Sequence, residues 1–241
     1  MTTATQAREP QVLNKLMFAK LMPLLIIAYI LSFLDRTNIA LAKHHLDVDL
    51  GISAAAYGLG AGLFFLTYAL SEIPSNLIMH KVGARFWIAR IMVTWGLISA
   101  AMAFVQGETS FYVLRLLLGI AEAGLFPGVM LYLTYWFNRE QRARATGYFL
   151  LGVCFANIIG GPVGAALMRL DGLLGWHGWQ WMFLLEGLPA VAFAWVVWRK
   201  LPDRPSQAPW LTAAEAQGIE QRIAQETEEG AGEGGHALKN W

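Results

Sequence analysis

The sequence predicts an all-α membrane protein: six transmembrane helices followed by a short helix outside the bilayer. Apolar residues make up 56% of its 241 positions and charged ones only 15%. The apolar residues arrive in runs of about twenty, enough to cross a bilayer core of about 30 Å, and not in the 3.6-residue stripe of a helix on a soluble core. Lysine and arginine gather in alternate connections between those runs, as the positive-inside rule requires of a bundle that begins and ends on one side.

The first run covers 17–41 and follows a polar tail, 1–16. It has the basic start and apolar middle of a secretory signal. A signal ends at small residues soon after its core, whereas this run passes through Asp35-Arg36-Thr37-Asn38 and resumes with Ile39-Ala40-Leu41. Five more runs follow, at 54–79, 86–105, 111–137, 145–167 and 179–197, so the transmembrane bundle fills 17–200. Leu201-Pro202-Asp203-Arg204-Pro205 then breaks the helix. Thr212 with Glu215 three residues on has the capping-box pattern, and opens a helix over 213–229 that is too polar to span a membrane. Residues 230–235, mostly glycine, read as a flexible connector, and 201–241 as a whole as a cytoplasmic linker leading toward further chain.

Net charge is +1, which favours neither a nucleic-acid partner nor a purely peripheral, polybasic membrane contact. Its distribution says more. Arg8, Lys15 and Lys20 lie around the start of the first run, and Lys81, Arg85 and Arg90 around the second connection. Arg139, Arg142 and Arg144 fill the fourth, Arg199, Lys200 and Arg204 follow the sixth run, and the opposite connections keep Lys43 and Arg169. Both ends are therefore expected in the cytoplasm, with the chain a multi-pass protein of the plasma (inner) membrane.

The single cysteine, Cys154, excludes an intramolecular disulfide and reads as a small packing residue in mid-span. Gly58, Gly60 and Gly62 form a Gly-x-Gly-x-Gly run inside an apolar stretch, without a preceding strand or a phosphate-binding lysine, so no nucleotide site is expected. With no His-rich pattern and no nucleophile–base arrangement in a cytoplasmic segment, neither an enzyme nor a metal or other cofactor is expected.

Four charges lie inside apolar runs: Asp35 and Arg36 late in the first, Arg115 and Glu122 in the fourth. An ionisable group at the centre of a membrane helix costs about 2.5–3.5 kcal/mol on insertion scales, so such groups are kept where they face a partner or a water-filled path. At about 1.5 Å of rise per residue, Asp35 and Arg36 lie roughly 8–9 Å below the outer boundary near Leu41. Arg115 lies at a similar depth, and Glu122 two turns deeper on much the same face. One cavity holds all four if the first and fourth helices are neighbours. Arginine stays charged and presents a planar fork of donors that suits a carboxylate, which makes Arg36 and Arg115 candidates for capturing an anion or for organising the acids. Burial and a neighbouring arginine act oppositely on a carboxyl group, so small rearrangements can move its proton. Asp35 and Glu122 are the candidates for carrying it. The bland alternative is two static pairs, Asp35–Arg36 and Arg115–Glu122, that lock helices together.

Tyr29 and Tyr57 are placed to line the same cavity and donate to substrate, and Asn157, at mid-depth in the fifth run, either faces it or bonds a neighbouring helix. Glu72, near the inner end of the second run beside Pro74 and Asn76, is placed for a conformational latch. Trp176, Trp179 and Trp181 read as an aromatic belt at the outer boundary. Gly119, Gly124 and Gly160-Gly161-Pro162-Val163-Gly164 permit close helix approach and a kink.

Several ordered motifs then amount to a resemblance. They are Leu34-Asp35-Arg36-Thr37-Asn38-Ile39-Ala40, Glu72-Ile73-Pro74-Ser75-Asn76, Gly83-Ala84-Arg85-Phe86-Trp87-Ile88-Ala89-Arg90 and Arg115-Leu116-Leu117-Leu118-Gly119-Ile120-Ala121-Glu122-Ala123-Gly124. Phe126-Pro127-Gly128, Tyr132-Leu133-Thr134-Tyr135-Trp136-Phe137, Glu186-Gly187-Leu188-Pro189 and the Leu201–Pro205 motif continue the order. Together they resemble the amino-terminal half of the major facilitator superfamily, and within it the anion:cation symporters that move phthalate, tartrate and sugar acids.

The resemblance implies the N-terminal six-helix half of a twelve-helix fold, with a site at the midplane between halves. It implies uptake of a small organic anion with a co-transported cation, usually a proton. Outward-facing Asp35 and Glu122 would take up protons, freeing Arg36 and Arg115 for the substrate carboxylate before the loaded site rocks inward. Residues 76–85 fit the superfamily's loop between the second and third helices, with Lys81, Gly83 and Arg85 as gating residues. Here, however, Asn76 stands for the first glycine and His80 for the aspartate. The C-terminal six-helix half that the family carries past its linker is missing from these 241 residues. A truncated membrane scaffold, or a half that needs a partner chain, is the alternative expectation.

Overall fold

The computed structural model describes residues 8–237, and the described residues are helical with short connections. In a bilayer each backbone N–H and C=O must be satisfied within its own segment, and apolar runs of this length meet that demand as helices. The long helices are α1 (Pro10–Leu50), α2 (Ala54–Val82), α3 (Ala84–Ala101), α4 (Glu108–Glu122), α5 (Leu125–Thr134), α6 (Arg139–Met168), α7 (Gly178–Lys200) and α8 (Ala213–Ala237). Six spans are long and apolar enough to cross a membrane: α1, α2, α3 with the turn that follows it, α4 with α5, α6 and α7.

The helices start and stop where local chemistry allows. Ser53 caps α2 by accepting from Ala56 N at 3.1 Å, and Asn138 with Gln141 forms a capping box at the start of α6. The capping box expected of Thr212 and Glu215 is present: Thr212 N donates to Glu215 Oε2 at 2.9 Å, and Glu215 N to Thr212 Oγ1 at 3.3 Å. α1 continues beyond its apolar run to Leu50 and ends on Gly51 in the left-handed conformation. α8 runs to Ala237, through the 230–235 stretch expected as a connector. Glycine there costs about 1 kcal/mol per residue relative to alanine, so this end carries the weakest intrinsic helix of the chain.

The fourth run, expected as one helix, is two. Gly124 adopts φ +90°, and α4 ends just before it. The Ala123 carbonyl stranded at this break is taken up by α2, whose Ser75 hydroxyl donates to it at 2.8 Å. Two turns earlier in α4, Thr67 of the same helix donates to Leu116 O at 3.0 Å and ties the two helices together. Close approach makes these bonds reachable, since a methyl on Gly119 would overlap Thr67 and Phe64. The expected kink and close approach are therefore both present.

The bundle is built from packed pairs: α3 on α7, α1 on α6, and α2 on α4. Between α3 and α7, Gly96 and Gly187 face each other so closely that a Cβ on either would lie 2.6–2.7 Å from the other's carbonyl oxygen. At the end where the chain enters and leaves the bundle, Arg8 donates through Nε to Glu215 Oε1 and through Nη2 to Glu215 Oε2, both at 2.8 Å. Its Nη2 also reaches Trp210 O at 2.8 Å, so the segment ahead of α1 is clasped to the start of α8.

Two expectations for single residues change here. Trp179 is buried, its Nε1 donating to Asp49 Oδ2 at 2.9 Å, because the outer extension of α1 brings an acceptor to it. It is therefore no part of an aromatic belt, while Trp176 and Trp181 pair with ring centroids 5.3 Å apart. Cys154 is exposed, since it lies on the face of α6 turned away from α1.

Gly187→Ala should lower stability by about 1–3 kcal/mol through overpacking of α3 against α7. Gly161→Ala, whose new methyl meets nothing within 4 Å, should change it by no more than about 0.5 kcal/mol. Thermal unfolding of the two purified variants in detergent separates them. The Arg8 guanidinium holds the Glu215 carboxyl well below the usual carboxylate range. A carboxyl group depressed in the folded state stabilises above its unfolded pKa of roughly 4.3 and loses that contribution as pH falls toward the folded value. Hydrogen exchange of residues 8–13 should therefore stay slow from neutral pH down to about 5 and quicken only under stronger acid, whereas Glu215→Gln should release the segment at every pH.

Candidate functional site

α1 and α4 meet through side chains, and the pairing differs from the static alternative. Arg36 reaches across to Glu122, its Nη2 at 2.8 Å and its Nε at 2.9 Å from the same oxygen, Oε2. Glu122 is fully buried, and its other oxygen has no hydrogen-bond partner among the described residues. Asp35, one residue before Arg36 on α1, accepts from the Ser99 hydroxyl of α3 and lies near Glu122. Neither acid bonds its neighbour within its own helix, since adjacent residues and residues seven apart do not present their heads to each other at bonding distance.

Among the described residues Arg115 has no acid within ion-pair distance. Its guanidinium lies 4.6 Å from the centre of the Phe64 ring, its Nε is buried without an acceptor, and Asp35 and Glu122 are its nearest opposite charges. Arg36 is held over Tyr68 at 5.0 Å and Phe33 at 5.4 Å. Aromatic faces stabilise a desolvated guanidinium without neutralising it, which leaves its donors available to an anion. The four expected charges thus share one apolar-walled cluster between α1, α2, α3 and α4.

The other expected residues scatter. Tyr29 is buried and stacked on Phe149 at 4.1 Å within an aromatic group that includes Phe33 and Phe126. Its ring packs there, nearly two helical turns below Arg36. Tyr57 stacks on Phe111 at 6.4 Å, with the Lys43 ammonium 5.3 Å from its ring. Asn157 is exposed on α6 and donates to Val153 O of its own helix at 2.9 Å, so it makes no interhelical bond. Glu72 is half-buried and its carbonyl accepts from Asn76 Nδ2 at 2.9 Å.

Lys81 is exposed. Gly83 has φ +94° and Arg85 opens α3. The acid lacking at position 80 is supplied from elsewhere: Asp203, beyond α7, accepts from Arg85 N at 2.7 Å and lies 3.6 Å from Arg85 Nε. A Cβ on Gly83 would crowd this carboxylate at 2.9 Å.

Two residues of the cluster were missed in the sequence. Glu186 of α7 is buried with neither oxygen hydrogen-bonded, and Asn38 of α1, fully buried and equally unbonded, lies beside it. Asp35 is near enough to act on Glu186 electrostatically. The signal was available: Glu186 is an acid inside an apolar run, the same feature that marks Asp35 and Glu122. Asp203 gave no such signal, because a proline-flanked turn says nothing about which helix end it caps.

Removing one partner of a buried ion pair strands the other charge. Arg36→Met should therefore cost about 3–5 kcal/mol, and Arg36→Met with Glu122→Leu should recover most of it. A double-mutant cycle on thermal unfolding reads the difference.

The Major Facilitator Superfamily profile matches residues 25–239. A protein of Agrobacterium vitis named for tartrate transport is 51% identical over 211 residues, 88% of this chain and 47% of its own length. A protein of Acinetobacter baumannii named as a quinolone resistance transporter is 46% identical over 87% of this chain and 48% of its own length. Among solved structures, a bacterial homologue of the human lysosomal transporter Spinster superposes with a TM-score of 0.73 at 22% identity, over 82% of this chain and 46% of that one, which shows a common fold. The chain spans about half the length of the relatives it matches and corresponds to the N-terminal half of their fold. A profile match over most of its length and this shared fold establish that the chain belongs to the Major Facilitator Superfamily.

Proposed function

We propose that these six helices form the N-terminal half of a secondary active transporter that imports a small organic carboxylate together with a proton, as the anion:cation symporters do. The observation that carries the reading is the buried cluster itself. Three carboxyl groups, Asp35, Glu122 and Glu186, lie near one another in an apolar interior with two guanidinium groups, Arg36 and Arg115. Fully ionised, the group has one negative charge too many for a low-dielectric site, and a proton is the simplest cation to supply the balance.

The chemistry follows from the pairing. With Glu122 ionised, Arg36 is occupied. A proton on Glu122 removes the counter-charge and frees a rigid fork of donors for the substrate carboxylate. Arg115, held by a ring and by no acid, is the second grip. Asp35, bonded to Ser99 on α3, passes its change of charge to a different helix, which couples protonation to the packing of the bundle. The six helices work with six more from the other half, and the site opens between the halves. The two ends lie on the cytoplasmic side of the inner membrane, in keeping with the basic residues gathered there. Tartrate, named for one relative, is the first acid to try.

Reconstituted as the complete transporter, the protein should accumulate its acid faster as external pH falls. Asp35→Asn and Glu122→Gln should each abolish pH-driven accumulation while leaving exchange of labelled for unlabelled acid. Arg36→Lys or Arg115→Lys should raise the apparent KM about 10- to 100-fold, the worth of a charge-assisted bond of about 1.5–3 kcal/mol. Proton-driven accumulation that survives both acid substitutions would sink the reading.

A further inference from the structure

A cavity of about 600 Å³ lies at the basic end of the bundle, away from the buried cluster, between the inner ends of α1, α3 and α7 and the chain that follows α7. Four cations line it: Lys20 of α1, Arg85 of α3, and Arg199 and Lys200 of α7. Asp203 answers Arg85. Among the described residues Lys20, Arg199 and Lys200 have no acid within 4 Å, so the cavity carries a surplus of positive charge. Apart from Gln207, its remaining walls are mostly apolar, with Pro23 and Leu24 on α1, and Leu201, Pro202 and Trp210 on the outgoing chain.

The placement of these groups fixes the depth of the cavity. Lys20 lies about 21 residues before Leu41, or roughly 31 Å along a helix, which is one hydrocarbon thickness from the opposite boundary. Trp195 and Trp198, exposed on α7 beside Arg199, mark the same level, because indole rings collect where acyl chains meet head groups. Ala19 also lines the cavity, and because Pro23 has no N–H the Ala19 carbonyl lacks its usual donor four residues on and is free to accept from a hydroxyl.

We propose that this cavity binds the phosphate head group of an anionic phospholipid from the surrounding leaflet. The cations take the phosphate, the Ala19 carbonyl takes a glycerol hydroxyl, and the apolar wall continues into the acyl region. The site ties the outgoing chain, through Trp210 and Leu201, to α1 and α3 by way of a lipid. It depends on the membrane embedding of the bundle and is independent of any transported solute.

The test compares phosphatidylglycerol with phosphatidylcholine on the purified chain, by native mass spectrometry of retained lipid after detergent exchange. Phosphatidylglycerol should be retained preferentially. Arg199→Gln with Lys200→Gln should weaken retention roughly 25-fold, about fivefold per cation. Lys15→Gln, a cytoplasmic-end cation outside the cavity, should leave retention unchanged. Equal retention of both lipids by the unmodified chain would overturn the proposal without recourse to any variant. Displacement of phosphatidylglycerol by millimolar inorganic phosphate would also overturn it, and would assign the cavity to a soluble anion. Equal loss in Lys15→Gln and the double variant would show diffuse surface attraction in place of a site.

Discussion

Charge balance in a medium that cannot solvate charge governs the interior of this bundle. Each carboxylate or guanidinium brought between apolar helices is stable only with a counter-charge, a hydrogen bond or a ring face to meet it. Arg36 and Glu122 answer each other, Asp35 takes the Ser99 hydroxyl, and Arg115 rests on Phe64. Four different spans thereby contribute to one electrostatic unit, and their azimuths around the centre follow from it. Glu186 and Asn38 lie beside one another in the same interior, buried and without a hydrogen bond among the described residues.

The second constraint is backbone economy. Splitting the fourth span at Gly124 strands the Ala123 carbonyl, which a bilayer would penalise heavily, and the Ser75 hydroxyl of α2 collects it. Small residues make this possible, because only glycine lets the two helices come so near. The same device joins α3 to α7 through Gly96 and Gly187. Glycine in these spans therefore sets the distance between helices as much as their shape.

Much of this was legible in the sequence. Hydropathy runs located the six spans because lipid permits few alternatives, and the four buried charges stood out against them. Which acid meets which arginine was not legible, since it depends on the rotation of α1 against α4, and neighbours in sequence proved not to be partners in space. Asp203 illustrates the same limit: it completes the turn between α2 and α3 from 118 residues away. Tyr29 was only partly legible, because a buried tyrosine near a charge cluster looks alike in sequence whether it packs or binds.

The pairs α1–α6, α2–α4 and α3–α7 are held by extensive helix contact, and α7 packs in turn on α1 and α3 on α4, so the bundle is continuous. α1 and α4 meet differently, through the Arg36–Glu122 bridge with little backbone contact between them. Two helices set apart in this way leave a gap that only side chains fill. The lining of that gap can therefore be altered one residue at a time, while the packing that carries the fold lies elsewhere.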